Sequence, residues 1–596
     1  MKERLEGYIK EALKELGITA VDFVVEHPAD MAYGDWATNF AMTLFASLRA
    51  SVIKDAKIHF PENLGKPRNV HQAISKNVGG VQKEFSSPRE YAEQIKTIID
   101  GKNYPDILSI DVAGPGFINF KIASAVFDKE LSVAISKGDK WGWNDTLKGK
   151  KVMVEYTDPN PFKEFHIGHL MSNAIGESIS RLVEANGAEV RRACYQGDVG
   201  LHVAKALYDW VKKGKFIDFG ELSVGISYAN GDAAYRNDLK AKEEIEKINK
   251  QIYASFFDKS IEGGDIPAYY RRARGMSLDY FETIYKRLDT TFDEFFFESE
   301  TGETGKKIVL ENKGKVFEES EGAIVFRAEK FNPKLHTRVF INKDGLPTYE
   351  AKELGLAKIK YEKFPYDISI VVTGNEVNDY FLVLFEAMRQ VFPGLAKKTE
   401  HYSHGMLRLP TGKMSSRTGD VITATWLLDE AKARIMKNVK GVAEDVAEAA
   451  GVAAVKYSIL RQTAGRDIIF DFDRSLSFEG DSGPYLQYTY ARTWSVLEKA
   501  GNARRSADVP HNDYGSLTKL LTRFPELVLR ASLEREPHHV ANYLIEVAHD
   551  FNSFYGSTMI VDGGADQPYK LALTEATGLT LKNGLRLLGI TAPDKM

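Results

Sequence analysis

The sequence predicts an α/β protein in which a doubly wound parallel sheet is preceded by a smaller α+β domain and followed by an all-α bundle. Three observations predict this architecture. Strand-like and helical runs alternate through the middle of the chain, as in parallel sheets covered by helices. The first part mixes an amphipathic helix with strand-like runs, and the pattern after about residue 485 is almost wholly helical. We place the domains at 1–125, 126–420 (with an insertion at about 205–330), 421–484 (a helical connective region) and 485–596.

The composition is that of an ordinary globular protein. Its 596 residues are 43% hydrophobic and 27% charged, with a formal net charge of −4. Local basic runs suit a nucleic-acid partner, although most such runs are solvated helix faces. The single cysteine, Cys194, excludes internal disulfides and a thiolate zinc cluster, and we expect it to be buried. No run has the length of a membrane span or the apolar core of a signal peptide, so we expect a reducing cytoplasm.

The first domain begins with a helix and ends with a hairpin. Within the opening run MKERLEGYIKEALKELGI, one helical face carries Leu5, Tyr8, Ile9, Leu13 and Leu16. At the other end, ILSIDVAGPGFINFKI has the pattern of two strands around a Gly-Pro-Gly turn. Together these patterns predict a separate α+β unit.

The middle domain begins with a strand, a proline-rich loop and a helix in immediate succession. The strand is KVMVEY (151–156), the loop is TDPNP, and helical periodicity begins at Gly168. VRRACYQGD then has the pattern of the next strand running into a loop. We expect the sheet to resume with TRVFI (337–341), a helix from Tyr349 and the apolar strand ISIVVTG (368–374). Ligands of such sheets bind at the carboxyl ends of the strands.

Two short motifs indicate chemistry at phosphate groups. HIGH (166–169) lies where the helix begins, and free backbone N–H groups with the positive end of the helix dipole favour a phosphate there. GKMSSR (412–417) offers a lysine, two hydroxyls and an arginine that could wrap a triphosphate. Either motif alone is more often a structural pair or a solvated turn. Together, and in this context, they predict an ATP site.

The paired motifs resemble the two ATP signatures of class I aminoacyl-tRNA synthetases. More narrowly, the chain resembles bacterial-type arginyl-tRNA synthetases over nearly its whole length. The resemblance is carried by GDWATN, AGPGFINF, EYTDPNPFKEFHIGHL, YQGDVGLH, the LSFEG and PYLQY segments, and LKNGLRLLGITAPDKM. It implies a class I Rossmann-type catalytic domain with an additional N-terminal tRNA-binding domain and an all-α anticodon-binding domain.

The function that this resemblance implies is that of an arginine–tRNA ligase. Such an enzyme activates L-arginine with ATP to arginyl-adenylate and transfers arginine to the 3′ end of tRNA(Arg), releasing AMP and pyrophosphate. Mg²⁺ bound to ATP would be the only metal, with no tightly bound metal or organic cofactor, and the family implies a monomer. Two alternatives stay open from the sequence: another class I synthetase, and a non-catalytic tRNA-binding paralogue.

A guanidinium substrate needs carboxylates, neutral acceptors and a flat partner. Tyr349 and Glu353 are four residues apart on one helix and face the same way. By resemblance, Glu155 meets the guanidinium, Asn160 binds the amino acid backbone, and His169 also contacts arginine. The family usually has Asp at the position of Glu353, so this residue is a departure with a longer side chain.

The resemblance also assigns ATP binding. The residues are His166, Gly168, His169, Gly374, Glu376, Lys413, Met414, Ser415, Ser416 and Arg417. Gly374 would allow close approach of the backbone, and Glu376 would accept hydrogen bonds from the ribose hydroxyls. The family more often has Asp at the position of Glu376 and His at that of Asn378.

The KMS motif lacks the second lysine of the fuller KMSKS form, because Ser416 occupies that position. Arginyl enzymes without this lysine commonly carry one just before HIGH, and Lys163 stands there. We therefore expect Lys163 to be the compensating cation. The residues expected to act in catalysis are Lys163, His166, His169 and Lys413.

The resemblance also implies contacts with tRNA. Tyr485, Tyr488, Asn552 and Met596 are the candidates in the C-terminal domain, where unstacked bases would dock against aromatic rings and amides. Aromatic residues at helical spacing are more often part of a core. Asn119, within AGPGFINF, is the candidate for contact with the tRNA elbow.

Overall fold

The computed structural model describes residues 1–16, 18, 22–28, 30–46, 87–213, 221–257, 265–410 and 422–596. The chain forms two compact units, Met1–Val133 and Ala134–Met596. Among the helices within these ranges, none is long and apolar enough to cross a membrane.

The first unit is a four-stranded antiparallel sheet covered by helices, in agreement with the α+β pattern of the sequence. Its strand order is β1-β2-β4-β3. Leu5, Ile9 and Leu13, from the predicted helical face, are buried in its core with Phe120 of the hairpin. In chain order, the elements are α1 (Lys2–Glu15), β1 (Val25–Glu26), β2 (Trp36–Thr38), a helical stretch at 40–46, α2 (Pro88–Lys102), β3 (Ile107–Ala113) and β4 (Phe117–Ile122).

The second unit contains all the other elements, beginning from α3 (Ser124–Lys137), which spans the boundary. Its first half comprises β5 (Lys151–Glu155), α4 (Ile167–Ala185), β6 (Glu189–Gln196), α5 (Leu201–Lys213), α6 (Glu221–Asn237), α7 (Leu239–Phe257), α8 (Asp265–Arg287), β7 (Glu294–Phe297), α9 (Glu298–Glu311), β8 (Glu318–Ser320), β9 (Ala323–Arg327), β10 (Thr337–Ile341), α10 (Tyr349–Lys363), β11 (Ile368–Gly374), α11 (Asn378–Val391), α12 (Pro393–Ala396), β12 (Thr399–His404) and β13 (Leu407–Arg408). It continues with α13 (Ala424–Asn438), α14 (Glu444–Leu460), β14 (Ile468–Ile469), α15 (Phe472–Ser475), α16 (Gly483–Ala500), α17 (Ser516–Thr522), α18 (Phe524–Glu534), α19 (His538–Ser557) and α20 (Gln567–Leu587).

A five-stranded parallel sheet organises this unit, with strand order β12-β11-β5-β6-β7. The chain builds outward from β5 in one direction and then returns to its other side, so the order reverses between β5 and β11. A crevice at the carboxyl ends of strands on either side of such a reversal is where α/β sheets bind ligands. Cys194, in the middle of β6, is buried as expected.

Two details of the predicted sheet are corrected. TRVFI, expected in the parallel sheet, is β10 and pairs antiparallel with β9 in a separate three-stranded sheet. The aromatic run at Glu294–Phe297 is the fifth parallel strand, although it falls within the range predicted as an insertion. Both are short apolar runs of four or five residues. The sheet to which such a run belongs depends on its long-range partner, which periodicity does not reveal.

The C-terminal helices pack against the helix that begins with HIGH. Ser178 Oγ of α4 donates to the carbonyl of Leu587 over 2.8 Å. Lys456 Nζ of α14 is buried and donates to the carbonyls of Leu288 and Gly589 over 2.5 and 2.6 Å. The first bond links α4 to the end of α20, and the other two link α14 to the turn after α8 and to the turn after α20.

Candidate active site

A cavity of about 610 Å³ opens at the carboxyl ends of β5, β6, β11 and β12. It brings together predicted residues that are more than 200 positions apart in the chain. Those lining it are Glu155, Asn160, His166, Gly168, His169, Tyr349, Glu353, Gly374 and Glu376. It is also lined by residues that the sequence did not single out, among them Asp158, Tyr195, Glu298, Arg338, Tyr380 and His404.

A larger pocket, of about 840 Å³, lies between α8, α13 and α14. Its charges pair with one another: Arg287 contacts Asp429 and Glu448 at 2.8 Å. A ligand there would have to compete with existing ion pairs. The 610 Å³ cavity is therefore the better candidate.

The two histidines of HIGH cap α4. His166 Nδ1 accepts from the Gly168 N–H at 3.1 Å, and His169 Nδ1 accepts from the His166 N–H at 3.2 Å. The rings stack with centroids 3.6 Å apart. Because each Nδ1 accepts, each neutral ring carries its proton on Nε2 and can donate from there. A Cβ on Gly168 would lie 2.9 Å from Cε1 of the His166 ring, so a larger residue here would displace that ring.

Both imidazoles are neutral at physiological pH. Burial, helped by the nearby Lys163 charge, lowers the pKa of His166 to about 4. Burial lowers the pKa of His169 well below its ordinary value, with smaller effects from His166 and Lys163. The site thus presents two uncharged N–H donors at the positive end of a helix dipole, an arrangement suited to phosphate oxygens.

Lys163 does not line the cavity. Its Nζ lies over the Tyr228 ring, 5.1 Å from the centroid. Burial and the neighbouring Lys205 lower the pKa of Lys163. Its charge also contributes to the lowered pKa values of His166 and His169, so it lies within electrostatic reach of the site.

The loop after β5 is held in an unusual backbone conformation. Thr157 and Asp158 have φ values of 80° and 46°, in the left-handed region that side chains other than glycine rarely adopt. Hydrogen bonds from α4 hold Thr157, since its N–H donates to Ser172 Oγ and its Oγ1 accepts from Asn173 Nδ2, both over 3.0 Å. Asp158 Oδ1 accepts from the Tyr195 N–H of β6 over 2.7 Å. Such strain is typical of functional sites.

Two of the acidic residues around the cavity already have a partner lysine. Glu155, predicted to meet a guanidinium, accepts from buried Lys360 at 2.6 Å. Glu298 pairs with buried Lys352 at 2.5 Å. Glu155 therefore lines the cavity with its charge balanced from within the protein.

Two more carboxylates, those of Asp158 and Glu353, have no cation within ion-pair distance among the described residues. Burial, followed by the negative charge of Glu155, raises the pKa of both well above their ordinary values. The raised pKa values mean that ionising both carboxylates is costly while they lack a cation. The cavity is thus matched to a positively charged ligand.

At the other side of the cavity, the end of β11 carries the residues predicted for adenosine. A Cβ on Gly374 would fall 2.1 Å from Glu376 Oε2, so the carboxylate folds back over this glycine. Asn378 does not line the cavity, and its buried Oδ1 has no partner in the described structure.

Lys413, Met414, Ser415, Ser416 and Arg417 lie outside the described residues. The chain re-enters the described structure directly beside HIGH, where Ile167 N–H donates to the carbonyl of Ile422 over 3.3 Å. Ala424 N–H donates to the carbonyl of Phe165 over 2.8 Å. The start of α13 is therefore hydrogen-bonded to the start of α4.

The candidates for tRNA contact differ in their exposure. Tyr485 is only 8% exposed, and its hydroxyl accepts from Asn552 Nδ2 over 2.9 Å. Tyr488 is 39% exposed on the outside of the same helix, and Met596 is half-buried at the end of the chain. Asn119, in the first unit, is only 6% exposed within β4.

Comparisons with known proteins match the whole arrangement. Family models match at residues 3–122 ("Arginyl tRNA synthetase N terminal domain"), 130–472 ("tRNA synthetases class I (R), catalytic domain") and 486–596 ("DALR anticodon binding domain"). An arginine–tRNA ligase of Fusobacterium nucleatum is 32% identical over 587 residues, covering 90% of this chain and 97% of that protein. One of Treponema denticola is 31% identical over 490 residues, covering 78% and 82%.

Solved structures share the fold. The arginyl-tRNA synthetase of Thermus thermophilus superposes with a TM-score of 0.76 at 24% identity, covering 100% of both chains. That of Plasmodium falciparum gives a TM-score of 0.74 at 18% identity, covering 100% of this chain and 99% of the other.

Proposed function

This chain belongs to the arginyl-tRNA synthetases, class I enzymes that join arginine to tRNA, and from that premise we propose how its cavity binds the substrates. The relatives are arginine–tRNA ligases over most of the chain, so neither another class I synthetase nor a non-catalytic paralogue is favoured. ATP, arginine and tRNA follow as substrates from the family.

The observation that carries the proposal is the pair of carboxylates that have no cation partner in the described part of the chain. Asp158 and Glu353 accept from the guanidinium of arginine, which supplies the missing positive charge in a planar, bidentate form. Tyr349 packs over the guanidinium plane, and its ring already has Lys352 Nζ 5.2 Å from the centroid. Glu155, balanced by Lys360, supports the pocket, Asn160 holds the amino acid backbone, and the His169 ring lies beside it.

ATP binds with its phosphates at the start of α4. The Nε2–H groups of His166 and His169 donate to phosphate oxygens, and Gly374 with Glu376 holds the adenosine. A carboxylate oxygen of arginine attacks the α-phosphorus, an acyl–phosphate bond forms, and the bond to the β-phosphate breaks. Pyrophosphate leaves with the electron pair of that bond, its charge offset by Lys163 and the 413–417 segment.

The remaining steps follow the family. A ribose hydroxyl at the 3′ end of tRNA(Arg) attacks the carbonyl of arginyl-adenylate, and AMP leaves. Mg²⁺ enters with ATP as part of the substrate complex. We propose a monomer acting in the cytoplasm, with Tyr488 and Met596 near the anticodon, and Tyr485 and Asn552 between the helices behind them.

Arginine-dependent ATP–pyrophosphate exchange, run with and without tRNA(Arg), tests this function. We expect exchange with arginine, and charging of tRNA(Arg) with arginine alone when all twenty amino acids are offered. Charging with another amino acid at a comparable rate would contradict the assignment. Exchange that needs tRNA would indicate that tRNA completes the site.

A further inference from the structure

His404 is a buried histidine at the wall of the active-site cavity, and one of its ring nitrogens has no partner within the described structure. It is the last residue of β12 and stands in register with Gly374, the last residue of β11. The side chain is only 3% exposed and lines the same cavity as Glu376. Its Nε2 has no hydrogen-bond partner among the described residues.

The hydrogen bond on the other nitrogen fixes the role of Nε2. His404 Nδ1 lies 2.7 Å from the carbonyl oxygen of Gly405. A carbonyl only accepts, so Nδ1 must carry the proton, and in the neutral ring Nε2 is then an acceptor. Burial keeps the ring neutral, because it lowers the pKa of His404 more than the Gly405 carbonyl and the Glu376 charge raise it.

A neighbouring histidine on the same strand does have a hydrogen-bond partner for its Nε2 atom. His401, three residues earlier on β12, stacks on Phe381 at 3.9 Å, and its Nε2 lies 2.7 Å from Thr373 Oγ1. The missing hydrogen bond is therefore confined to Nε2 of His404 and is not shared by the other histidine of this strand. A buried acceptor without a partner costs about 1–3 kcal/mol, which a ligand donor would recover.

We infer that Nε2 of His404 accepts a hydrogen bond from the adenosine part of ATP. The inference rests on the proposed nucleotide site, since Gly374 and Glu376 lie at the adjacent strand end. Asn378, where the family usually has histidine, does not line the cavity. Adenosine offers three donors of suitable chemistry: the 6-amino group and the 2′ and 3′ hydroxyls. If the partner is the 6-amino group, the acceptor also disfavours bases with a carbonyl at that position.

Two substitutions separate the contributions of the two ring nitrogens to ATP binding. His404→Asn keeps a donor for the Gly405 carbonyl and removes the acceptor, whereas His404→Gln places an amide oxygen near the position of Nε2. In ATP–pyrophosphate exchange with tRNA(Arg) present, His404→Asn should raise the KM for ATP about 10-fold and leave the KM for arginine unchanged. His404→Gln should restore most of the loss. An unchanged KM for ATP in a His404→Asn protein with wild-type Tm would overturn the inference.

ATP analogues identify the donor and do not depend on the folding of a variant. Purine riboside triphosphate, 2′-deoxy-ATP and 3′-deoxy-ATP each lack one donor. One of them should bind the wild-type enzyme about 10-fold more weakly and lose nothing further in His404→Asn. Equal losses on mutation for ATP and all three analogues would contradict the inference.

Glu376→Gln distinguishes failure of this inference from failure of the proposed site. A raised KM for ATP in Glu376→Gln with no effect of His404→Asn rejects only the role of His404. No effect of either substitution rejects the nucleotide site itself, and with it the inference.

Discussion

The active-site cavity and the contact between α16 and α19 in the C-terminal bundle differ in whether their buried polar groups have partners within the protein. In the cavity, Asp158 and Glu353 lack a cation, and His404 Nε2 lacks a donor among the described residues. In the bundle, Asn552 bonds the Tyr485 hydroxyl at 2.9 Å and also accepts from Arg492. We propose that a ligand completes the first set, whereas the second is already complete within the protein.

The difference separates binding groups from structural ones. Unpaired buried groups cost stability, and under the proposed function the substrates offset that cost by supplying the missing charge and donors. Bonds made within the bundle hold two helices together without a ligand. Substitutions in the cavity should therefore change substrate parameters, and substitutions in the bundle contact should change stability.

Glu353→Gln is expected to have the largest effect. Replacing the charged acceptor should lower kcat/KM for arginine about 10³-fold, the scale of losing one partner of a desolvated charge pair. Tm should not fall, because the substitution removes a buried carboxylate that has no cation partner among the described residues. Glu362→Gln, on the exposed side of the same helix where Glu362 pairs with Lys358 at 3.3 Å, is the matched control. Equal kinetics for the two variants would place the guanidinium elsewhere.

Lys163→Ala should come next. If Lys163 offsets the charge of the leaving pyrophosphate, its loss should lower the rate of ATP–pyrophosphate exchange about 10²-fold at saturating substrates. Lys213→Ala, which removes an exposed lysine paired with Asp209 at 2.7 Å, should be neutral. Near-normal exchange by the Lys163 variant would mean that another group replaces the missing second lysine of the KMSKS motif.

Acid should weaken arginine binding. The free enzyme holds Asp158 and Glu353 at raised pKa values, and the arginine cation favours their ionised forms. Arginine affinity is thus fully present above those raised values and is lost as the pH falls through them. The KM for arginine, measured at decreasing pH, should rise up to about 10-fold per pH unit for each of the two carboxylates that takes up a proton. A flat profile would mean that neither carboxylate titrates with binding.

The smallest effects are expected in the bundle. Exposed Tyr488 should offer a stacking surface, so Tyr488→Ala should raise the KM for tRNA(Arg) about 10-fold at unchanged Tm. Tyr485→Phe should instead cost about 1 kcal/mol of stability through the lost bond to Asn552, with the KM for tRNA unchanged. A loss of stability in Tyr488→Ala with a raised KM for tRNA(Arg) in Tyr485→Phe would contradict the distinction between binding and structural groups.

The features that could be predicted from the sequence are those set by residues close together in the chain. The strand, loop and helix around HIGH were recognisable because periodicity, proline and glycine act over a few residues. Tyr349 and Glu353 were paired by helical spacing alone. The bundle helices followed from the same periodicity.

Long-range pairing could not be predicted. The partner of Glu155 is Lys360, 205 residues away, and no local pattern links the two. His404 lies beside Gly374 only because β12 pairs with β11 in one particular register. Asp158 stood in a recognised loop, but its charge became informative only when Glu155 and Glu298 proved to be paired with lysines.

Calorimetric titration of the enzyme with arginine and with citrulline tests the central claim most directly. Citrulline has nearly the shape of arginine but carries a neutral urea group in place of the guanidinium. We expect arginine to bind at least about 10²-fold more tightly than citrulline, and to release protons as Asp158 and Glu353 ionise. The preference should shrink in Glu353→Gln. Equal affinity for the two ligands, with no proton release, would contradict the claim that unpaired carboxylates select the substrate.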